Sequence, residues 1–119
     1  MNNKIIISTG GTGGHVIPAV NFGNFLIERG YSCVLILDKR GNKYSISFKG
    51  KVHIISSAHL SGNLLYKIKS IATLIVGFFQ SLIIISKFRP KNCISFGGYA
   101  TLMPLFVILI LKFFIKINI

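Results

Sequence analysis

Between Ser8 and Ala19 the chain reads STGGTGGHVIPA. Gly10, Gly11, Gly13 and Gly14 fall within five positions, Thr12 stands between them, and His15 follows. Glycine at a strand-to-helix turn permits positive φ and lets a ligand approach the backbone. A helix start adds free N–H groups and the positive end of a dipole. The chemistry on offer is therefore binding of a phosphate or diphosphate. A neutral imidazole beside such a site can donate a hydrogen bond to an oxygen or take a proton from a hydroxyl. The residues alone leave both roles open for His15, and a tight turn without a ligand is the plain alternative.

The spacing excludes two common phosphate sites. A Walker A loop needs Lys followed by Ser or Thr after its last glycine, but His15 and Val16 stand there. A dinucleotide fingerprint needs glycine at position 16 after Gly11 and Gly13; Asp38 sits at a suitable distance for its acid, but Val16 breaks the pattern. Glu28 and Asp38 are the only side-chain carboxylates, and neither is expected at a glycine loop as a general base. Cys33 and Cys93 each lie in an apolar run without metal-ligand spacing and read as buried thiols of a reducing compartment. No metal and no cofactor is expected.

The elements that must position this loop follow from periodicity. Lys4 to Ser8 is a short continuous apolar run, suited to a strand buried on both faces. From Val16 to Arg29 the period turns helical, with Val16, Ala19, Val20, Gly23, Leu26 and Ile27 on one stripe and Pro18 in the first turn. Gly30 is a natural stop. Cys33–Leu37 and Val52–Ile55 read as further strands, with a polar loop DKRGNKYS between them.

Leu64 to Lys87 is a long apolar helix whose Ser70, Thr73, Gly77, Gln80, Ser81 and Lys87 make a second face. It is expected to pack on a sheet. Cys93–Phe96 is a fourth strand running into a second glycine turn, Gly97–Gly98–Tyr99. Thr101 can cap the helix from Leu102 to Phe114, and Ile117–Ile119 reads as a strand beginning. The order β–α–β–β–α–β–α–(β) specifies a doubly wound α/β domain with a Rossmann-like parallel sheet.

Fourteen Lys and Arg against two acids give a net charge of +12. Anionic membrane surfaces and phosphorylated substrates suit such a chain, while codon bias toward Lys, Ile, Asn and Phe is the plain explanation. The basic residues are scattered, so no nucleic acid is expected as a partner. The amino terminus has an apolar run of only three residues before the glycines, so a secretory signal is not expected there.

Gly10–His15 with Pro18, then Arg29–Gly30, Asp38–Lys39–Arg40–Gly41, Leu60–Ser61–Gly62 and Phe96–Gly97–Gly98–Tyr99, follow one family pattern in order. Over essentially its whole length the chain resembles the amino-terminal domain of the MurG family of bacterial glycosyltransferases. The resemblance implies half of a GT-B fold. It implies transfer of N-acetylglucosamine from UDP-N-acetylglucosamine to the C4 hydroxyl of the muramyl sugar of lipid I, with inversion, to form lipid II for peptidoglycan. It places Thr12, Gly13 and Gly14, with Gly10 and Gly11, at the donor or its diphosphate. His15 becomes the catalytic candidate, and Gly97, Gly98 and Tyr99 line the acceptor side. No metal is implied for the diphosphate.

Because lipid I is anchored in a membrane, a peripheral position on the cytoplasmic face of the bacterial membrane is also implied. Lys67, Lys69, Lys112 and Lys116 would meet anionic lipid there. The family continues past position 119 into a carboxyl-terminal donor domain. Residues 1–119 are thus expected to be a single incomplete amino-terminal domain, inactive alone unless a complementary carboxyl-terminal chain joins it. Two other readings compete: a small basic membrane protein with spans near 70–86 and 102–119, and a diphosphate-binding module completed by a separate chain.

Overall fold

The computed structural model describes residues 3–58, 62–97, 101–113 and 117. In chain order the elements are β1 (Lys4–Ser8), α1 (Gly13–Glu28), β2 (Ser32–Asp38), a 3-10 helix (Lys39–Tyr44), β3 (Lys51–Ile55), α2 (Leu64–Phe88), β4 (Asn92–Ser95) and α3 (Leu102–Leu111). The four strands pair in parallel in the order β3-β2-β1-β4. The alternation of side chains divides the core into two layers. Ile5, Ile7, Cys33, Leu35 and Leu37 point to Val16, Ala19 and Val20 of α1. Ile6, Val34, Ile36 and Cys93 point to Ile85 of α2 and to Val107 and Ile108 of α3. The unalternating apolar runs of β1 and β2 are what a strand covered on both faces requires.

Of the α1 stripe, Val16, Ala19, Val20 and Gly23 are buried, and Leu26 and Ile27 pack partly buried against the same layer. The helix starts earlier than its apolar pattern, however. Thr12 is the N-cap, in extended conformation, and its carbonyl accepts from the N–H groups of His15 and Val16. The last two loop glycines thus belong to the first helical turn, and Pro18 lies in the second turn rather than the first. Proline cannot supply the hydrogen bond owed to the carbonyl four residues back, that of Gly14. Both residues face solvent, where water can serve that carbonyl. The polar loop expected after β2 is a 3-10 helix, because the Asp38 carboxylate caps it through the Gly41 N–H.

Helix α2 packs on the sheet, but with the face opposite to the one hydropathy suggests. Its buried residues are Ser70, Leu74, Gly77, Ser81 and Ile85. The side-chain carbonyl of Gln80 accepts from the Ser56 N–H at 2.7 Å. Ile68, Ile71, Ile75, Val76, Phe79 and Ile83 are all about half exposed. Small side chains let the helix backbone approach the strand end closely; Leu74 and Ile85 are buried beside them, and the six large apolar residues just named stay half outside. Among the described residues α2 alone is long and apolar enough to cross a membrane. With ten residues, α3 is too short to do so. Thr101 sits at the N-cap of α3, but its side chain makes no capping bond. Ile117 is buried against the α2–α3 side of the sheet and carries no strand assignment. The rest of the strand expected from Ile117 to Ile119 lies outside the described residues.

Candidate functional site

The sheet order 3-2-1-4 places a change of direction between β1 and β4, and ligands of such sheets bind in the crevice beyond the carboxyl ends of the strands there. Both glycine turns leave the sheet at that point. Ser8 pairs with Ser95, so Gly10 and Gly97 depart from the same level. Gly97 has φ +93, and a Cβ on it would lie 3.5 Å from Cδ2 and 3.6 Å from Nε2 of His15. Gly97, where the second loop begins, therefore packs against the His15 ring of the first. Gly98 and Tyr99, expected on the acceptor side, lie outside the described residues.

Within the first loop the glycines have different causes. Gly11 has φ +85, which L side chains rarely adopt. A Cβ on Gly13 would lie 3.1 Å from the Tyr44 ring, so packing favours glycine there. Gly14 has no such reason: its nearest neighbour would be Thr12 Oγ1 at 3.6 Å, an ordinary contact. Among the described residues no acceptor is bonded to the N–H groups of Gly13 and Gly14. Thr12 does not cap them, because its hydroxyl is 3.2 Å from His15 Nδ1 instead. Two open N–H groups at a helix start suit an oxyanion.

The Thr12 bond also fixes what His15 Nε2 can do. If the hydroxyl donates to Nδ1, Nε2 carries the proton and can donate to a phosphate oxygen. If Nδ1 donates to the hydroxyl, Nε2 is free to accept a proton.

Asp38 corrects the sequence reading, which placed neither carboxylate at a glycine loop. Its Oδ1 accepts from the Gly11 N–H at 3.0 Å and the Gly41 N–H at 3.2 Å. Its Oδ2 accepts from Arg40 Nε at 3.0 Å and Nη2 at 2.9 Å. The carboxylate is buried and fully engaged, so it braces the loop and is not a free base. Glu28 is remote and pairs with Lys49. The signal that the residues alone lacked is strand register: the Ser8–Ile36 pair of the β1–β2 ladder puts Asp38, two positions past Ile36, level with Gly10. No group of three or more His, Cys, Asp or Glu that could hold a metal occurs among the described residues.

A parallel sheet in the order 3-2-1-4, with a glycine turn and Gly97 meeting at His15 beside its switch point, defines a Rossmann-like α/β domain. Residues 5–112 match the model of the glycosyltransferase family 28 N-terminal domain, and the chain belongs to that family. It is 40% identical over 104 residues to the UDP-N-acetylglucosamine--N-acetylmuramyl-(pentapeptide) pyrophosphoryl-undecaprenol N-acetylglucosamine transferase of Chelativorans sp. (strain BNC1), covering 86% of this chain and 28% of that protein. It is 38% identical over 116 residues to the enzyme of the same name from Bartonella tribocorum, covering 94% and 31%. The chain thus spans under a third of the length of these relatives. Among solved structures, Acinetobacter baumannii MurG superposes with a TM-score of 0.78 at 19% identity, covering 92% of this chain and 33% of that one. The calicheamicin glycosyltransferase CalG4 gives 0.64 at 11% identity, covering 91% and 28%. The fold is that of the amino-terminal domain of GT-B glycosyltransferases.

Proposed function

We propose that this chain is the acceptor-side domain of a glycosyltransferase that moves N-acetylglucosamine from UDP-N-acetylglucosamine to a muramyl sugar carried on a polyprenyl diphosphate. The relatives' names support that pair of substrates. The observation that carries the reading is the meeting of His15 with Gly97 beside the open N–H groups of Gly13 and Gly14. In this reading Thr12, Gly13 and Gly14, with Gly10 and Gly11 shaping the turn, receive a diphosphate. The acceptor hydroxyl lies near Gly97, and His15 Nε2 takes its proton or steadies a phosphate oxygen as the hydroxyl attacks the anomeric carbon. Nucleoside diphosphate leaves with its bonding electrons, and the sugar inverts. A carboxyl-terminal domain supplies the remaining donor contacts.

The reading extends to the membrane. The exposed apolar residues of α2 and α3, with Lys67, Lys69 and Lys112 nearby, support peripheral contact with an anionic leaflet on the cytoplasmic face. Each basic residue near such a surface contributes about 1 kcal/mol.

The test joins residues 1–119 to the carboxyl-terminal domain of the Chelativorans relative and follows transfer of labelled N-acetylglucosamine to the lipid-linked acceptor. Gly14→Val is the diagnostic variant, since packing makes no demand for glycine there. Loss of transfer with an unchanged melting temperature supports a ligand pressed on that backbone. Full transfer by Gly14→Val removes the diphosphate from the loop.

A further inference from the structure

Arg40 is the cation nearest the glycine loop by the contacts of the described residues. A Cβ on Gly11 would lie 3.4 Å from its Nη2. Its side chain is half exposed while its partner Asp38 is buried. Nε and one Nη2 hydrogen are spent on Asp38 Oδ2, which leaves three of the five guanidinium N–H groups without a carboxylate. Arg40 also borders a cavity of about 410 Å³, whose wall includes Lys39, Ser56, Ser57, Thr73 and Gln80. The Ser57 hydroxyl oxygen is buried there and has no hydrogen-bond partner among the described residues. Within the cavity the carboxylate of Asp38 is neutralised by Arg40 and two backbone N–H groups. The charge left over on its lining is that of Lys39, and the unspent guanidinium N–H groups of Arg40 and the Ser57 hydroxyl are donors there, beside the apolar side chains of Ile54 and Ile55.

We propose that Arg40 is a diphosphate-binding residue, placed by Asp38 between the glycine loop and this cavity so that it grips the oxyanion lying on Gly13 and Gly14. This rests on the reading of the loop as a diphosphate site. The planar guanidinium suits two phosphate oxygens at once, which a lysine cannot match. The single carboxylate of Asp38 holds both the Gly11 backbone and Arg40, so loop and cation are set in one geometry before ligand arrives. Asp38 is a positioning residue. The diphosphate belongs to either the nucleotide donor or the polyprenyl acceptor, both of which present the same oxygens.

The experiment titrates ¹⁵N-labelled protein with inorganic pyrophosphate and follows the backbone amides and the Arg40 Nε resonance. The wild type is expected to shift at Gly13, Gly14 and Arg40. Arg40→Gln should weaken binding roughly tenfold or more, and Arg40→Lys by less, as loss of a charge-assisted pair of bonds requires. Asp38→Asn keeps an acceptor for Gly11 but loses the charge that orients Arg40. It should move the Arg40 Nε resonance and weaken binding, whereas a purely structural Asp38 would lower the melting temperature with binding unchanged. Parallel titrations with uridine diphosphate and farnesyl diphosphate identify the source by which of the two loses affinity in Arg40→Gln. Equal affinity of wild type and Arg40→Gln for pyrophosphate, with the loop amides still shifting, overturns the role of Arg40 alone. Loop amides that do not move in the wild type overturn the diphosphate reading, and this inference with it.

Discussion

The backbone of Gly77 in α2 rests on the carbonyl of Ser56, at the end of β3. A methyl group at position 77 would overlap that oxygen, and neither backbone can rotate away. Gly→Ala within an ordinary helix stabilises by about 1 kcal/mol. Here the sign reverses, and Gly77→Ala is expected to cost about 1–3 kcal/mol through overpacking. A lower urea midpoint checks it. A raised midpoint would mean that α2 does not lie against the sheet in this way.

In the chimera carrying the Chelativorans carboxyl-terminal domain, His15→Ala is expected to lower kcat by about 10²- to 10⁴-fold, the range of a lost acid–base group. His15 is exposed, so the melting temperature should hardly move. Thr12→Val should have a smaller effect on kcat, because it removes only the hydroxyl that holds Nδ1 of the ring. A kcat unchanged by His15→Ala would transfer the chemistry elsewhere.

The outward face of α2 offers a membrane test. Phe79 is 55% and Ile75 52% exposed. Burying one such side chain in a bilayer interface contributes up to about 1.5–3 kcal/mol. Phe79→Ser and Ile75→Ser are each expected to weaken sedimentation with anionic vesicles by about tenfold or more at that scale. Lys67→Glu with Lys69→Glu should weaken binding at low salt and flatten its salt dependence, because the screened part of the attraction is lost. Binding that ignores both pairs would remove this face from the contact.

Burial pushes the Cys33 thiol up to about 11 and the Cys93 thiol up to about 12. Both folded values exceed the ordinary 9.0, so their contribution to stability is complete below that pH and is lost as pH rises through 11 and 12. His53 has the opposite sign. Burial first, and Lys51 second, lower its pKa from 6.5. Its contribution is therefore present above 6.5 and is lost as pH falls through the lower folded value. Urea midpoints are expected to fall on both sides of neutrality, and His53→Gln should flatten the acid side. Alkylation of both thiols at neutral pH should follow unfolding, since a buried neutral thiol is a poor nucleophile.

The parallel sheet, the glycine turns and the buried α1 stripe were legible because each is written locally: unalternating apolar runs, glycine clusters, a 3.6-residue period. Three features were not. The start of α1 at Gly13 depends on the Thr12 carbonyl, and glycines hide a helix from any apolar pattern. The role of Asp38 depends on strand register, which brings it to Gly11 across 27 positions of chain. The orientation of α2 ran against hydropathy, because close approach to the Ser56 carbonyl outweighed the burial of larger side chains. The contact between His15 and Gly97 was approachable from sequence only as two separate motifs.

The inverted packing of α2 sets how the chain tolerates change. Along most core helices the large residues are the intolerant ones. Here Ser70, Gly77 and Ser81 are clamped, while Ile71, Ile75 and Ile83 have half their surface free. A saturation library of this helix should therefore sort by added volume, with gain of a single methyl on one side more damaging to folding than wholesale exchange of isoleucine on the other. The outward positions are left open to selection by whatever they touch, and the inward ones answer to the sheet and to α3.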